Sequence, residues 1–180
     1  MSERTYESLA LEDAEGQWEL HKGRLREKPA VGAEHTDISF HLAMLLQLQL
    51  DRRQYKLKVN GTRVRRSRGS VYIPDVVIVP TEHERRLRGQ PGTLEIYDDP
   101  LPLVVEIWSQ STGDYDVNEK LPEYQQRGDA EIWRVHPFER AVTVWWRQPD
   151  GTYQASFYQG GIIDLRSLPG VSINLDVLFE

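Results

Sequence analysis

Short runs of alternating or uniformly apolar residues, separated by Gly, Pro, Asn and Asp, predict a chain rich in β-strands. Residues 18–21 and 24–27 alternate on either side of Lys22-Gly23, which is typical of a β-hairpin. A short helix is predicted before the hairpin, over residues 5–11. Further strands are predicted over residues 55–59, 63–66, 71–79, 103–108, 131–136, 141–147 and 153–158.

Helical spacing of apolar residues predicts a long helix over residues 36–53. The apolar residues fall on two faces: Ile38, Leu42, Leu45 and Leu46 on one, and Phe40, Met44 and Leu48 on the other. A helix with two apolar faces is expected to pack on both sides, either within its own domain or against a second subunit.

A second helix is predicted in the crossover between the strand at 103–108 and the strand at 131–136. Its signals are a capping pair, a proline suited to a first turn and a terminal glycine: Asp116 with Glu119, Pro122 and Gly128. The right-handed crossover rule places the two strands parallel. Residues 81–100 are polar and are expected to form a surface excursion.

The composition indicates a soluble globular protein and excludes several kinds of site. Hydrophobic residues make up 39% and charged residues 28% of the 180 residues, and no linker or repeat divides them, so a single domain over 1–180 is expected. No stretch reaches the roughly 18 apolar residues of a membrane helix, and the start lacks a secretion signal, so we expect a cytoplasmic protein without membrane contact. The absence of cysteine excludes disulfides, thiolate metal sites and cysteine nucleophiles.

The net charge of −6 argues against a surface covered in nucleic-acid-binding cations, but the charge is unevenly distributed. Residues 51–68 carry eight basic residues against one acid: Arg52, Arg53, Lys56, Lys58, Arg63, Arg65, Arg66 and Arg68. Arg85, Arg86 and Arg88 form a second, smaller cluster. The main cluster is either one phosphate-binding face or an edge strand whose charges prevent aggregation.

The most informative feature is one carboxylate inside each of two apolar strands. Asp75 lies within the run at 71–79, and Glu106 lies within the run at 103–108. A buried ionised carboxylate needs a positive or hydrogen-bonding partner, because its desolvation costs several kcal/mol. If the two strands are neighbours, opposed residues are close enough for both carboxylates to bind one hard divalent cation, and Mg²⁺ or Mn²⁺ suits such oxygen ligands.

Lys120 follows these acids on the next helical segment and completes a possible catalytic set. A lysine near a metal-bound water can position and deprotonate that water, and it can offset charge on a reacting phosphate. The structural alternative is that each acid pairs with an arginine or caps a turn, and that Lys120 is a solvated helix residue.

These residues together resemble the Uma-two family of proposed endonucleases, which belong to the PD-(D/E)XK nuclease superfamily. The resemblance covers most of the chain and rests on Trp18-Glu19-Leu20, Lys22-Gly23-Arg24, His35, Pro74-Asp75, Val104-Val105-Glu106, Ser109-Gln110-Ser111-Thr112, Asp114 or Asp116, Glu119-Lys120-Leu121-Pro122, Tyr124 and the strand from Glu131. It implies an α/β fold, namely a restriction-endonuclease-like mixed sheet with flanking helices, with an N-terminal hairpin and a helix before the core.

The resemblance also implies a Mg²⁺ site with Asp75 and Glu106 as ligands and the carbonyl of Ile107 as a third. Glu19 is implied as an acid that binds water or a second metal, although a surface strand acid explains it equally well. His35 is a candidate for orienting a phosphate or water, the alternative being a polar helix terminus.

One position departs from the superfamily pattern. The usual lysine follows its acid by two residues on the same strand, and here Trp108 holds that position. Residues two apart on a strand share a face, so Trp108 is expected to point into the same site. Lys120 resembles the migrated lysine of this family, which reaches the site from the following helix.

The leading hypothesis is a Mg²⁺-dependent endonuclease, with Mn²⁺ as a possible substitute, that hydrolyses DNA phosphodiester bonds as a homodimer. In this hypothesis the segment from Arg52 to Arg68 holds the DNA backbone. A second hypothesis is a nuclease-fold nucleic-acid-binding or regulatory dimer without turnover. A third is a hydrolase that uses the two acids as general acid and base without a metal.

Overall fold

The computed structural model describes residues 1–13, 15–65 and 69–180. The strands of these residues are β1 Trp18–His21, β2 Arg24–Glu27, β3 Tyr55–Val59, β4 Arg63–Arg65, β5 Val71–Tyr72, β6 Val76–Pro80, β7 Ile96–Tyr97, β8 Leu103–Ile107, β9 Glu131–His136, β10 Ala141–Arg147, β11 Tyr153–Tyr158, β12 Ile162–Asp164 and β13 Ser172–Asn174. They form a small sheet in the order β2-β1-β5-β4-β7, a large sheet in the order β11-β10-β9-β8-β6-β3, and the pair β12-β13.

The helices are α1 Glu3–Glu12, α2 Ala33–Gln47, α3 Thr81–Leu87, α4 Gly113–Tyr115, a π-helical turn Asp116–Lys120, α5 Leu121–Arg127 and α6 Leu175–Leu178. The α4 helix, the π-helical turn and α5 form one continuous crossover between β8 and β9. No helix in the described ranges has both the length and the apolar character needed to span a bilayer.

The large sheet is covered on both faces. One face packs against α2 and the C-terminal segment, through residues such as Leu42, Val105 and Ile173. The other face packs against α5 and the small sheet, through residues such as Tyr124 and Val104. Strand β8 lies inside this sheet and is buried along its whole length, as its continuous apolar run predicts.

The predicted mixed α/β fold is confirmed, together with its N-terminal hairpin and the helix before the core. The hairpin strands β1 and β2 pair around Lys22-Gly23, and Lys22 has φ of +48° while Gly23 has φ of +77°. Strand β8 pairs with β9 in parallel, as the crossover rule requires. Gly128, with φ of +85°, ends α5, and Pro122 lies in its first turn.

Helix α2 is shorter than predicted and only one of its apolar faces is covered. The helix ends at Gln47 instead of residue 53, and the chain that follows forms a separate turn in which Asp51 accepts a hydrogen bond from the Arg53 amide. Ile38, Leu42 and Leu46 are buried in the core. The other face stays open in the single chain: Phe40 is 66%, Met44 45% and Leu48 79% exposed.

The predicted strand at 71–79 is wrong as a single element, because it divides into β5 in the small sheet and β6 in the large sheet. The break falls at Ile73-Pro74-Asp75, where Pro74 has no amide hydrogen to donate to a ladder. The chain therefore changes sheets at the residue that precedes the candidate carboxylate Asp75.

Two other predictions are corrected by local contacts. Residues 81–100 include α3 and β7, so they are not only a surface excursion. Asp116 does not cap a helix, because it lies inside the continuous crossover with its side chain buried, and Glu119 instead contacts Lys22.

Within residues 51–65, the part of the basic segment that the structure describes, the cations do not form one free face. Strands β3 and β4 belong to different sheets, and β3 is an edge strand, which favours the aggregation-preventing interpretation. Lys58 pairs with Glu84 at 2.7 Å, and Arg65 contacts three carboxylates: Glu3, Glu7 and Asp98. Arg66 and Arg68 lie outside the described residues.

Arg127 connects α5 to the small sheet and its neighbouring loops through a buried set of hydrogen bonds. Its guanidinium lies 3.0 Å from Asp129 and donates to the carbonyls of Tyr97 at 2.9 Å and Asp99 at 2.6 Å. Its side chain is 1% exposed, and that of Asp129 is fully buried. Arg127 therefore neutralises a carboxylate that has no access to water.

We predict that Arg127→Met lowers the free energy of unfolding by about 3–5 kcal/mol, because it leaves Asp129 buried and uncompensated. Urea denaturation followed by circular dichroism measures the change. Arg53→Met is the matched control, since the Arg53 side chain is 92% exposed, and it should change stability by less than about 0.5 kcal/mol. Equal effects of the two substitutions would contradict this role of Arg127.

Candidate active site

Asp75, which directly precedes β6, lies beside Glu106 on the neighbouring strand β8 of the large sheet. Strands β6 and β8 are antiparallel with Val76 opposite Val105, and the Asp75 amide donates to the Val105 carbonyl at 3.1 Å. The same register continued by one residue places Asp75 opposite Glu106. Directly opposed residues have Cβ atoms about 4.5–5.5 Å apart, so the two carboxylates share one small region of the sheet.

Both carboxylate oxygens of Asp75 contact positive or polar groups. Its Oδ1 lies 2.6 Å from Lys28 Nζ, and its Oδ2 lies 3.0 Å from His35 Nε2 and accepts the Ile107 amide at 2.7 Å. Burial alone would raise the pKa of Asp75, but Lys28 and His35 outweigh burial and lower this pKa well below its usual value. Asp75 is therefore ionised in the folded protein.

Lys120 is buried among three carboxylates that come from three elements. Its Nζ lies 2.9 Å from Glu19 on β1, 3.2 Å from Glu106 on β8 and 3.6 Å from Asp116 in the π-helical turn. Burial would lower the pKa of Lys120, but the three carboxylates raise it well above its usual value. Lys120 therefore carries a positive charge in this site.

Glu106 has the most unfavourable electrostatic position of the group. Its Oε1 contacts Lys120 and accepts a hydrogen bond from the Tyr124 hydroxyl. Burial raises the pKa of Glu106 to about 8, since Asp116 and Asp75 add to the effect of burial and Lys120 offsets only part of it.

The buried cluster contains more carboxylates than ammonium groups. Its four carboxylates belong to Glu19, Asp75, Glu106 and Asp116, and its two ammonium groups belong to Lys28 and Lys120. If all six groups are ionised, the carboxylates exceed the ammonium groups by two charges, whereas without a cation Glu106 keeps its proton up to a pKa of about 8. A divalent cation would balance this excess.

The residues present suit Mg²⁺ in chemistry and in charge. Carboxylates from adjacent strands supply the hard oxygen ligands that Mg²⁺ prefers. No group of three Asp, Glu, His or Cys side chains that could hold a metal is found in residues 1–13, 15–65 and 69–180, so a cation here would rely on two carboxylates completed by carbonyl or water oxygens. It would also compete with Lys28 and Tyr124 for oxygens that are already bonded.

The structure places the other predicted site residues around the same cluster. Glu19 is not a surface strand acid, because it is 1% exposed and accepts the Ile73 amide at 2.8 Å. His35 lies in the first turn of α2 but points inward to Asp75. Ile107 touches the site through its amide hydrogen bond to Asp75, and the predicted role of its carbonyl stays a prediction.

Sequence reasoning missed Lys28 and gave Asp116 the wrong role. Lys28 follows the hairpin and resembles any solvated lysine in sequence, since no periodic pattern surrounds it. Asp116 was predicted to cap a helix. Its position four residues before Lys120 also indicates a contact between the two side chains along one helical face, and that contact is the one observed.

A cleft of about 520 Å³ opens beside the cluster and shares His35 with it. Trp108 lines this cleft and stacks on His136, with ring centroids 4.4 Å apart, while Phe138 approaches the indole edge-on. Ser109 also lines the cleft, and its hydroxyl lies 2.8 Å from the Thr112 hydroxyl within a local loop. The Trp108 side chain therefore lines one side of the adjoining cleft.

We predict that the free energy of unfolding in EDTA falls as pH rises from about 5 to 8. Folded Glu106 keeps its proton up to a pKa of about 8, whereas the unfolded chain releases it near 4.5, so the folded state binds more protons in this window. The slope from one such group is at most about 1.4 kcal/mol per pH unit. Glu106→Gln should flatten the slope, as measured by urea unfolding at each pH.

Glu82→Gln is the control for this measurement, because Glu82 is an exposed glutamate on α3. This control should keep the slope of the unmodified protein. A Glu106→Gln variant that also keeps the full slope would show that Glu106 is not the group responsible.

Comparison with known proteins is consistent with this arrangement. Residues 4–177 match the Uma2 family model, which is described as "Putative restriction endonuclease". A crystal structure from Anabaena variabilis ATCC 29413, titled as a "putative nuclease belonging to DUF820", superposes with a TM-score of 0.70 at 15% identity, covering 90% of this chain and 89% of that chain. This likeness shows the fold, and no curated protein matches. The family description and the nuclease-like fold support a nuclease-type function, and the chain belongs to the Uma2 family.

Proposed function

We propose that the protein is a Mg²⁺-dependent endonuclease that hydrolyses phosphodiester bonds in DNA, with Mn²⁺ as a possible substitute. The observation that carries this proposal is the opposed pair Asp75 and Glu106 with the buried ammonium of Lys120 beside it. Family membership supports the same reaction class. Asp75, Glu106 and the carbonyl of Ile107 are the proposed ligands of the cation.

When bound, Mg²⁺ supplies positive charge that activates water and stabilises the crowded phosphate oxygens. His35 and the Ile107 amide fix the orientation of Asp75, since each bonds its Oδ2. Tyr124 and Lys120 fix Glu106 in the same way. These contacts hold both carboxylates in place before substrate arrives.

Lys120 orients the attacking water and offsets the negative charge that builds up on the phosphate. Because three carboxylates keep Lys120 protonated, it acts as a hydrogen-bond donor, and the proton of the attacking water passes to a solvent molecule. Glu19 and Asp116 act on Lys120 by fixing its ammonium position. They are positioning residues in this mechanism.

The adjoining cleft is the proposed entry for DNA. It shares His35 with the carboxylate cluster and presents the exposed ring of Phe138, which is 65% accessible. Because Lys58 and Arg65 are paired with carboxylates, the described part of the basic segment is a weaker candidate for holding the DNA backbone. The exposed α2 face at Phe40, Met44 and Leu48 supports the proposed homodimer.

We predict that Asp75→Asn and Lys120→Met each reduce Mg²⁺-dependent DNA cleavage by at least about 100-fold, because the first removes a charged ligand of the cation and the second removes positive charge that stabilises the reacting phosphate. Cleavage of a labelled DNA in Mg²⁺, with EDTA as the blank, measures the loss. Circular dichroism checks that each variant is folded, since both positions are buried.

Two exposed substitutions serve as controls for this experiment. Asp37→Asn and Lys22→Met change the same charge types at exposed positions, and both should cleave like the unmodified protein. Undiminished cleavage by folded Asp75→Asn and Lys120→Met would remove the proposed mechanism.

A nuclease-fold DNA-binding protein without turnover is the second candidate. The observation that favours it is Lys28, whose ammonium already neutralises Asp75. Trp108 at the usual lysine position favours it as well. Salt-sensitive DNA binding without cleavage in either Mg²⁺ or Mn²⁺ would establish this candidate over the first.

A further inference from the structure

Lys28 is a buried cation inside the candidate metal site. It lies between β2 and α2, and its side chain is only 6% exposed. Its ammonium donates to Asp75 Oδ1 at 2.6 Å and to the Ile73 carbonyl at 2.9 Å. A lysine so deeply buried is rare unless an acid holds it, and here that acid is a proposed metal ligand.

Lys28 is also the partner of Asp75 that can most easily move. The other two partners are the Ile107 amide, which is fixed in β8, and the His35 ring, which is fixed in α2. Lys28 reaches Asp75 from a segment without regular structure, on a flexible four-carbon stem. Lys28 also lowers the pKa of Glu106, so its charge acts on both proposed ligands.

We infer that Lys28 is a tethered counter-cation, which neutralises Asp75 in the metal-free protein and must release Oδ1 before that oxygen can bind a divalent cation. This inference rests on the proposed Mg²⁺ site and adds a regulatory element to it. The Lys28 ammonium supplies part of the positive charge that a metal ion would otherwise supply. It therefore weakens the binding of a metal ion to the site. Lys28 therefore raises the concentration of divalent cation that the site needs.

Removing the Lys28 charge has two opposite consequences. In the metal-free protein, Asp75 loses its closest counter-charge and the fold loses stability. In the metal-bound protein, one competing positive charge is absent and the cation binds more tightly. A lysine with a purely structural role would give the first consequence without the second.

The experiment is a calorimetric titration of EDTA-treated protein with Mn²⁺. Lys28→Met, which keeps the length of the apolar stem, should bind Mn²⁺ at least about tenfold more tightly than the unmodified protein. Lys22→Met is the matched control on the same hairpin, because Lys22 is 64% exposed and pairs with exposed Glu119, and its Mn²⁺ affinity should not change. Adding Asp75→Asn to Lys28→Met should abolish the tighter binding.

Thermal unfolding gives a second measurement that does not depend on activity. Lys28→Met should melt below the unmodified protein in EDTA, and saturating Mn²⁺ should raise its melting temperature by more than it raises that of the unmodified protein. Lys28→Gln provides a polar substitute in case the methionine variant does not fold, and the same shifts are expected for it.

The outcomes separate this inference from the proposed function. Unchanged or weaker Mn²⁺ binding by both folded Lys28 variants, with clear binding by the unmodified protein, overturns the role of Lys28 and leaves the proposed metal site intact. No Mn²⁺ binding by any variant at millimolar concentration overturns both. Tighter binding that survives Asp75→Asn also overturns the inference, because the cation would then bind elsewhere.

Discussion

The ion cluster around Lys120 is the interaction on which the arrangement of the site depends. One ammonium contacts carboxylates from the small sheet, the large sheet and the crossover, through Glu19, Glu106 and Asp116. Each carboxylate alone would be costly to bury, and together they would repel one another. Lys120 offsets part of this cost, because its ammonium lies within 3.6 Å of all three carboxylates. The same ion cluster therefore links the site to both sheets, whose packing rests on the apolar residues around it.

At the break between β5 and β6, charged side chains of the same site also form hydrogen bonds with backbone groups. A strand that leaves one sheet for another loses ladder partners, and buried amides and carbonyls without partners are costly. At the break, the Ile73 amide donates to Glu19 and the Ile73 carbonyl accepts from Lys28. Pro74 has no amide to satisfy. The charged side chains thus replace the missing ladder bonds, and they place Asp75 directly after the turn.

The features that could be predicted from the sequence are those with a local cause. The hairpin around Lys22-Gly23 and the buried strand β8 follow from short-range patterns, and an acid within an apolar strand marked Asp75 and Glu106 as unusual. The apolar periodicity continues past the end of α2, and it contains neither the effect of Pro74 nor the hydrogen bond from the Ile73 amide to Glu19 at the break after β5. Lys28 could not be predicted, since its burial results from the meeting of elements far apart in the chain.

The crossover explains how Trp108 can occupy the position at which related nucleases carry lysine. Because Lys120 brings its ammonium from the π-helical turn, the site keeps a positive charge beside Glu106 without using the strand position. The indole of Trp108 instead stacks on His136 and packs so closely against Gly113 that a Cβ there would lie 2.1 Å from its Nε1. Only glycine allows α4 to begin at this point. At this site the helical crossover therefore supplies the positive charge through Lys120, and the end of β8 supplies an aromatic side chain that lines the cleft.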